Sequence, residues 1–424
     1  MQVNVTKLAG LMPLRIPLSR EAFLCSCLFA TLALSGLVMF EPSPYELMIA
    51  ILLVVSVIVG VSLRRDLVPL IGLISLYNVG GLMTIGVAND TKYAITFAAI
   101  SLFLAVSAIL YAAILSDKPE RWKTIETGYI AAAVCSAFLA ILGYFDAFPG
   151  AYDLLTRYGR AKAFFKDPNV FGPFLVLPTC FIIYDILKKP LASSLGKMAL
   201  LAVLVLGIFL SFSRGAWALL FISAAAVYLL TFINEQSVKG RNKMLGLLLL
   251  AAFSLVGLLL AALSVESVSS MFFERAKLVQ SYDADRLGRF ARYLLGIEFI
   301  LDKPFGVGPG EFGKVFTEDE HNVYLKGFTT YGWLGGLSYI TLVGLTLIKA
   351  VPLVFKPRPY QKYTITLLSV FVGHIALGML IDTDHWRHFY LLLGGLWAII
   401  AMETAYSRTH AFSTRGANPS YLQA

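Results

Sequence analysis

Charge is scarce in this chain: 14% of its 424 residues are Asp, Glu, Lys or Arg, against 58% hydrophobic residues. Soluble domains carry about 25% charged residues, so a water-soluble globular protein is excluded. Cysteine is nearly absent too, and Cys25, Cys27, Cys135 and Cys180 all fall inside apolar runs. Buried apolar thiols account for them better than a disulfide framework or a metal knuckle. No internal repeat or low-complexity tract is present, which argues against the repeat signature of secondary transporters. The one glycine-rich stretch, PFGVGPGEF at 304–312, lacks the Gly-Lys-Ser/Thr ending and the strand–turn–helix setting of a phosphate or dinucleotide loop. It reads as a tight turn with a structural role.

What the chain has is long apolar runs, too many and too long for core helices. Spans are expected near 21–40, 46–63, 67–88, 92–115, 128–148, 169–187, 197–212, 215–233, 243–264, 323–349, 362–381 and 387–406. The fold class is therefore all-α: a polytopic membrane helix bundle of about twelve transmembrane helices, residues 1–424 forming a single membrane domain. Lys7, Arg15 and Arg20 precede the first apolar run as in a signal peptide, but no small-residue cleavage site follows, so the first span reads as uncleaved. The larger share of Lys and Arg falls on one side if both termini are cytoplasmic.

Two external segments, 157–166 and 275–326, break that trend with their own basic residues. Fixed positive charge facing outward suits an anionic ligand such as a phosphate. The net charge of +9 does not by itself call for nucleic acid, since lipid headgroups are polyanionic partners as well. The one sizeable external segment is 265–322. Within it Leu287, Phe290, Leu294, Ile297 and Ile300 recur at helical spacing, which predicts an amphipathic helix lying in the bilayer interface. Arg286, Arg289 and Arg292 recur every third residue along it. The tail, 407–424, is polar and expected to be flexible.

Four groups of side chains are candidates for chemistry. EDEHNVYLKGFTTYGWLGG, 318–336, sets His321 and Asn322 at the start of a span. Carboxylates in a first helical turn are ordinary dipole complements, yet histidine titrates near neutral pH and suits a general base. Asn322 is placed to orient the imidazole or a substrate. Arg214, in SFSRGAW, stands in a very short turn between two spans; a charge at that depth snorkels outward or serves a cavity. Arg157, Arg160, Lys162 and Lys166 precede Asp167-Pro168-Asn169. The last three form a helix start, which leaves the four basic residues unexplained. IDTDHWRHF, 381–389, groups Asp382, Asp384, His385 and His388; the choice is between metal ligation and a polar hairpin paired with Arg387. His374, inside a span, reads as a packing residue.

Taken in order, RAKAFFKDPNVFGPF, SFSRGAW, GRFARYLLGIEFILDKPFGVGPGEF and EHNVYLKGFTTYGWLGG resemble the bacterial O-antigen ligase and polymerase superfamily. The resemblance covers about 157–345. It implies an inner-membrane glycosyltransferase of the GT-C type acting in lipopolysaccharide or other polysaccharide biosynthesis. The donor would be a glycan on undecaprenyl diphosphate, and the acceptor a lipid A-core sugar or another lipid-linked glycan. The reaction would be inverting and metal-independent, with no cofactor and with the site facing the periplasm. The same resemblance assigns catalytic roles to His321, Arg214 and Arg160. Arg286 or Arg289 joins them at the substrate; Arg157, Lys162, Lys166, Asn169 and Asn322 are candidates for substrate binding from their own positions beside these residues. A transporter of anionic lipid-linked substrates is the more distant alternative.

Overall fold

The computed structural model describes residues 19–275 and 289–415. Each expected span coincides with helix, in chain order α1 (Arg20–Ala33), α2 (Pro44–Val59), α3 (Val68–Thr84), α4 (Thr91–Asp117) and α5 (Arg121–Tyr144). A short helix, α6 (Ala151–Leu155), leads into a two-stranded hairpin, β1 (Thr156–Arg157) and β2 (Arg160–Ala161). Beyond it come α7 (Pro168–Phe174), α8 (Val176–Lys188), α9 (Leu195–Leu210), α10 (Arg214–Ile233) and α11 (Val238–Leu263). The long segment between α11 and the next spanning helix holds α12 (Glu266–Arg275), α13 (Arg289–Leu301) and α14 (Glu311–Phe316). The chain closes with α15 (Val323–Ala350), α16 (Gln361–Leu377) and α17 (Arg387–Arg415).

Among the described residues, nine helical stretches are long and apolar enough to cross a membrane. The other three expected spans, α1, α2 and α16, are shorter, at 14, 16 and 17 residues. The protein is thus an all-α, multi-pass membrane bundle. The last helix continues to Arg415, past the boundary expected near 406.

Packing follows the distribution of small residues. The most extensive helix pair is α3 with α15, where Gly80 leaves no room for a Cβ against the Tyr331 carbonyl and Gly81 none against its ring. Small residues let two backbones approach where lipid supplies no hydrophobic drive. α17 lies against α4, and α10 against α16. By contrast α11 is exposed along nearly its whole length, Met244 being its one buried residue.

Charged pairs sit at the two ends of the bundle. At one end Lys362 bridges Glu126 (2.5 Å) and Asp185 (2.8 Å), and Glu403 holds Lys356 and Arg358, each at 2.9 Å. The other end gathers the 145–167 hairpin region, the 211–213 turn, the external segment and the 378–386 loop.

α15 is the element that matters most for the site, and it is broken. At Gly332 the backbone turns to φ 66°, ψ −177°. The PFGVGPGEF turn fills the break: Val307 and Gly308 N–H donate to the Thr329 carbonyl at 2.7 and 3.2 Å, and Trp333 N–H donates to the Pro304 carbonyl at 2.9 Å. Gly306 and Gly308 lie at φ 70° and 98°, a region that suits glycine. The turn expected from the sequence is present, and it sets the direction of the first half of α15.

Candidate active site

Three chain ends are tied together where α15 begins. The Asn322 side chain caps the helix, accepting from Tyr324 and Leu325 N–H at 3.0 and 3.1 Å. Its amide donates to the Met379 carbonyl at 3.2 Å, and Val323 N–H donates to the Gly378 carbonyl at 2.8 Å. The Tyr293 hydroxyl, from α13, lies 3.0 Å from the His321 carbonyl and 2.9 Å from that of Met379, donating toward both. His321 is held at φ 47°, a left-handed backbone that is uncommon outside glycine. Its side chain is 41% exposed, with Nδ1 4.0 Å from Asp382 Oδ2.

Behind His321 lies a buried polar cluster. Lys326, one turn into α15, reaches Asp384 Oδ1 at 3.2 Å and Asp382 Oδ2 at 3.7 Å. The Tyr331 hydroxyl stands 3.3 Å from each of Asp384 Oδ2, His385 Nε2 and Ser101 Oγ, and the His385 ring lies 4.1 Å from that of Phe97. Glu320 is buried and accepts a short hydrogen bond from Thr329 Oγ1. Asp382 Oδ1 is buried without a hydrogen-bond partner.

Burial and neighbouring charge sort these groups into different states. Burial pushes the Glu320 carboxyl up to about 7, against the Thr329 hydrogen bond and with help from the Asp382 charge. Burial also raises Asp382, and Lys326 only partly offsets it. At Asp384 burial works the same way, but the Lys326 ammonium, through its charge and its hydrogen bond, outweighs it and holds the carboxylate below its usual range. His385 is pushed down to about 4 by burial, against the pull of Asp384, so its imidazole is neutral.

Two of the arginines belong to the hairpin and the turn between α9 and α10. Arg160, on β2 of the hairpin, is buried; its Nε donates to the Ser211 carbonyl at 2.8 Å and its Nη2 to Asn169 Oδ1 at 2.7 Å. It thereby supports the turn between α9 and α10, where Ser213 caps α10 and Arg214 is the first helical residue. Gly215 packs directly on Leu377 at the end of α16, next to the Gly378–Met379 backbone that holds Asn322. Contacts at Arg160–Ser211, Gly215–Leu377 and Asn322–Met379 thus run from the arginine-bearing turn to the start of α15.

The other basic candidates do not converge there. Arg157 is exposed, donates to the Lys166 carbonyl at 2.8 Å and stacks over Tyr158. Lys162 donates to the Leu154 carbonyl at 2.8 Å, and Lys166 pairs with Glu41 at 2.7 Å. Arg292 is buried in an ion pair with Glu318 at 2.6 Å. Arg286 and the side chain of Arg289 lie outside the described residues.

Nor do Asp382, Asp384, His385 and His388 form one ligand set. Lys326 stands between the aspartates, whereas His388 turns toward His374, with ring centroids 5.2 Å apart. Among the described residues, no three His, Cys, Asp or Glu side chains gather as a metal site. His374 bonds the Val370 carbonyl of its own helix at 3.0 Å.

Sequence reasoning gave no role to Lys326, Tyr331, Glu320 or Tyr293. For Lys326 a signal existed, since a lysine one turn inside a span needs a partner. The others are recognisable only through contacts distant in sequence.

No curated protein matches the chain. Residues 199–340, the stretch carrying Arg214, His321 and Lys326, match the family model described as O-Antigen ligase, so over that third of its length the chain is similar to membrane enzymes of the O-antigen ligase type.

Proposed function

We propose that the protein transfers a glycan from undecaprenyl diphosphate to a sugar hydroxyl at the periplasmic face of the bacterial inner membrane, as an O-antigen ligase does. The observation that carries this reading is the placement of His321, with Asp382 at its Nδ1, at the same end of the bundle as Arg160 and Arg214. With Nδ1 turned to a carboxylate, Nε2 is the nitrogen left to accept a proton. In this reading His321 takes the proton of the acceptor hydroxyl as its oxygen attacks the anomeric carbon. The bond from that carbon to the diphosphate oxygen breaks on the opposite face, so the configuration inverts.

Asp382 stabilises the imidazolium that results, and the exposed ring returns its proton to water. Negative charge grows on the departing diphosphate, where preorganised cations help most. Arg214 supplies a guanidinium fork that binds phosphate oxygens in pairs. Arg160 acts through the Ser211–Ser213 turn, as a positioning residue with Asn169. In this role guanidinium groups do what a divalent cation does in other glycosyl transfers, and the polyprenyl tail stays in the bilayer between helices.

The test is a deletion strain complemented with wild type or His321→Ala, with surface glycan and lipid-linked intermediates measured together. Long polymer stranded on the carrier, with bare core at the surface, is the result expected for a ligase. Single repeats, on the carrier or capping the core, mean that the protein joins lipid-linked repeats as a polymerase. Unchanged glycans in the deletion would overturn both readings.

A further inference from the structure

Helix α13 has three sectors. Facing the protein are Arg292, Tyr293, Gly296, Phe299 and Ile300. Ile300 forms a small apolar cluster with Phe312 and Leu325, and Tyr293 and Phe299 pack on it. Gly296 eases that approach, because a Cβ there would press on Leu325 at 2.7 Å and on Phe312 at 3.1 Å. The exposed surface divides again at about 100° per residue. Leu294, Ile297 and Leu301 fall on one strip, 71%, 52% and 60% exposed, and Phe305 continues it just beyond the helix. Glu298 and Asp302, also exposed, fall on another strip, with Leu295, 38% exposed, at its edge toward the protein.

Nothing among the described residues covers the apolar strip. Exposing each such side chain forgoes about 1.5–3 kcal/mol of burial, so four together need an occupant. What it is follows from the outward apolar surface of the spanning helix α15, with which the strip is continuous. At the end of α13 the Ile300 carbonyl accepts from the Trp333 indole N–H at 2.9 Å. Trp333 is the first of an outward row on the membrane-spanning α15 that continues through Leu337, Ile340 and Ile348. Tryptophan gathers at the membrane–water boundary, so this bond fixes the end of α13 at that level.

We propose that α13 docks on the bilayer itself, lying in its interface with Leu294, Ile297, Leu301 and Phe305 among the acyl chains and Glu298 and Asp302 in the headgroup layer. A helix with separate protein, lipid and water sectors fits a bilayer surface, whereas an interface with a second copy would have no reason to set the acidic strip apart. Through Tyr293 the docked helix also fixes the height of His321 relative to the membrane.

The test uses the full chain in nanodiscs, in a background lacking the four native cysteines. Single cysteines replacing Leu294, Ile297, Leu301, Glu298 or Asp302 carry a small fluorophore, and brominated acyl chains or aqueous iodide serve as quenchers. These side chains are exposed, so the substitutions remove no internal packing, and monodispersity on gel filtration checks the fold. The expected result is acyl-chain quenching several-fold stronger at 294, 297 and 301 than at 298 and 302, with the order reversed for iodide. Equal iodide quenching at all five positions would mean that the face lies in water. Protection of 294, 297 and 301 from both quenchers would mean that protein covers them. Either result overturns the proposal.

Discussion

Glu320→Gln is the most quantitative perturbation the site offers. Its carboxyl is buried beside His321, and burial raises its pKa from 4.5 to about 7. The folded protein therefore holds this proton more tightly than the unfolded chain does between those two pH values. Stability contributed by this group is greatest below about pH 4.5 and falls as pH rises toward 7, levelling off above. At about 1.36 kcal/mol per pH unit the loss is on the order of 3 kcal/mol. Glutamine keeps the shape of the protonated acid and cannot ionise, so the variant should escape this loss. Its stability relative to wild type should therefore grow across that pH window and then plateau. Reversible unfolding in mixed micelles, followed for both proteins at several pH values, measures the difference, and groups that titrate equally in both cancel. A difference that stays flat with pH would refute the reasoning, because it would mean that Glu320 titrates as though exposed.

His321→Ala should lower turnover about 10²–10⁴-fold, the usual loss for a general base, with the protein still inserted; glycan transfer at the wild-type rate would sink the assignment. Arg214→Lys keeps the charge but not the fork, so kcat/KM for the lipid-linked donor should fall; an unchanged value would mean that no bidentate contact is made. Lys326→Met leaves Asp382 and Asp384 without their cation and should destabilise by roughly 3–5 kcal/mol, as for a buried pair stripped of one partner. Adding Asp384→Asn should recover part of that loss, and strict additivity of the two changes would contradict the pairing. Tyr293→Phe removes one hydroxyl that bonds two backbone carbonyls. It should lower kcat while leaving the donor KM unchanged, so a raised KM with normal kcat would show instead that Tyr293 contacts the donor.

The helices were legible because an apolar run of spanning length fits a bilayer crossing and little else, and Arg160, Arg214 and His321 stood out as charged or titratable groups beside such runs. Pairing across the bundle was not legible. Lys326 meets Asp384 58 residues away, and Tyr331 meets Ser101 230 residues away, and no periodicity announces either contact. The external helix was half legible. Its leucines gave the spacing, but the sequence grouped Ile300 with Leu294 and Ile297, and the structure separates them. Ile300 turns inward with Gly296 and Arg292, because the glycine permits close approach and Glu318 neutralises the arginine. Leu294 and Ile297 are left outward.

The glycine-rich turn shows why a site can depend on residues that carry no chemistry. In an unbroken α15 the Trp333 N–H would donate to the Thr329 carbonyl four residues back. Here Pro304 takes the donor, and Val307 and Gly308 supply the acceptor's partners. The external turn thus replaces one rung of the helix, leaving neither main-chain group unpaired, as burial requires. Residues 323–331 are thereby freed to point in a direction the rest of α15 does not dictate. That half-helix carries Lys326, Thr329 and Tyr331 and follows directly from Glu320, His321 and Asn322, so the break orients the whole polar cluster at once. A side-chain contact in place of the turn would tune one residue at a time. A main-chain exchange at Gly332, Gly306 and Gly308 fixes the geometry of all of them, and the only mark it leaves in the sequence is glycine.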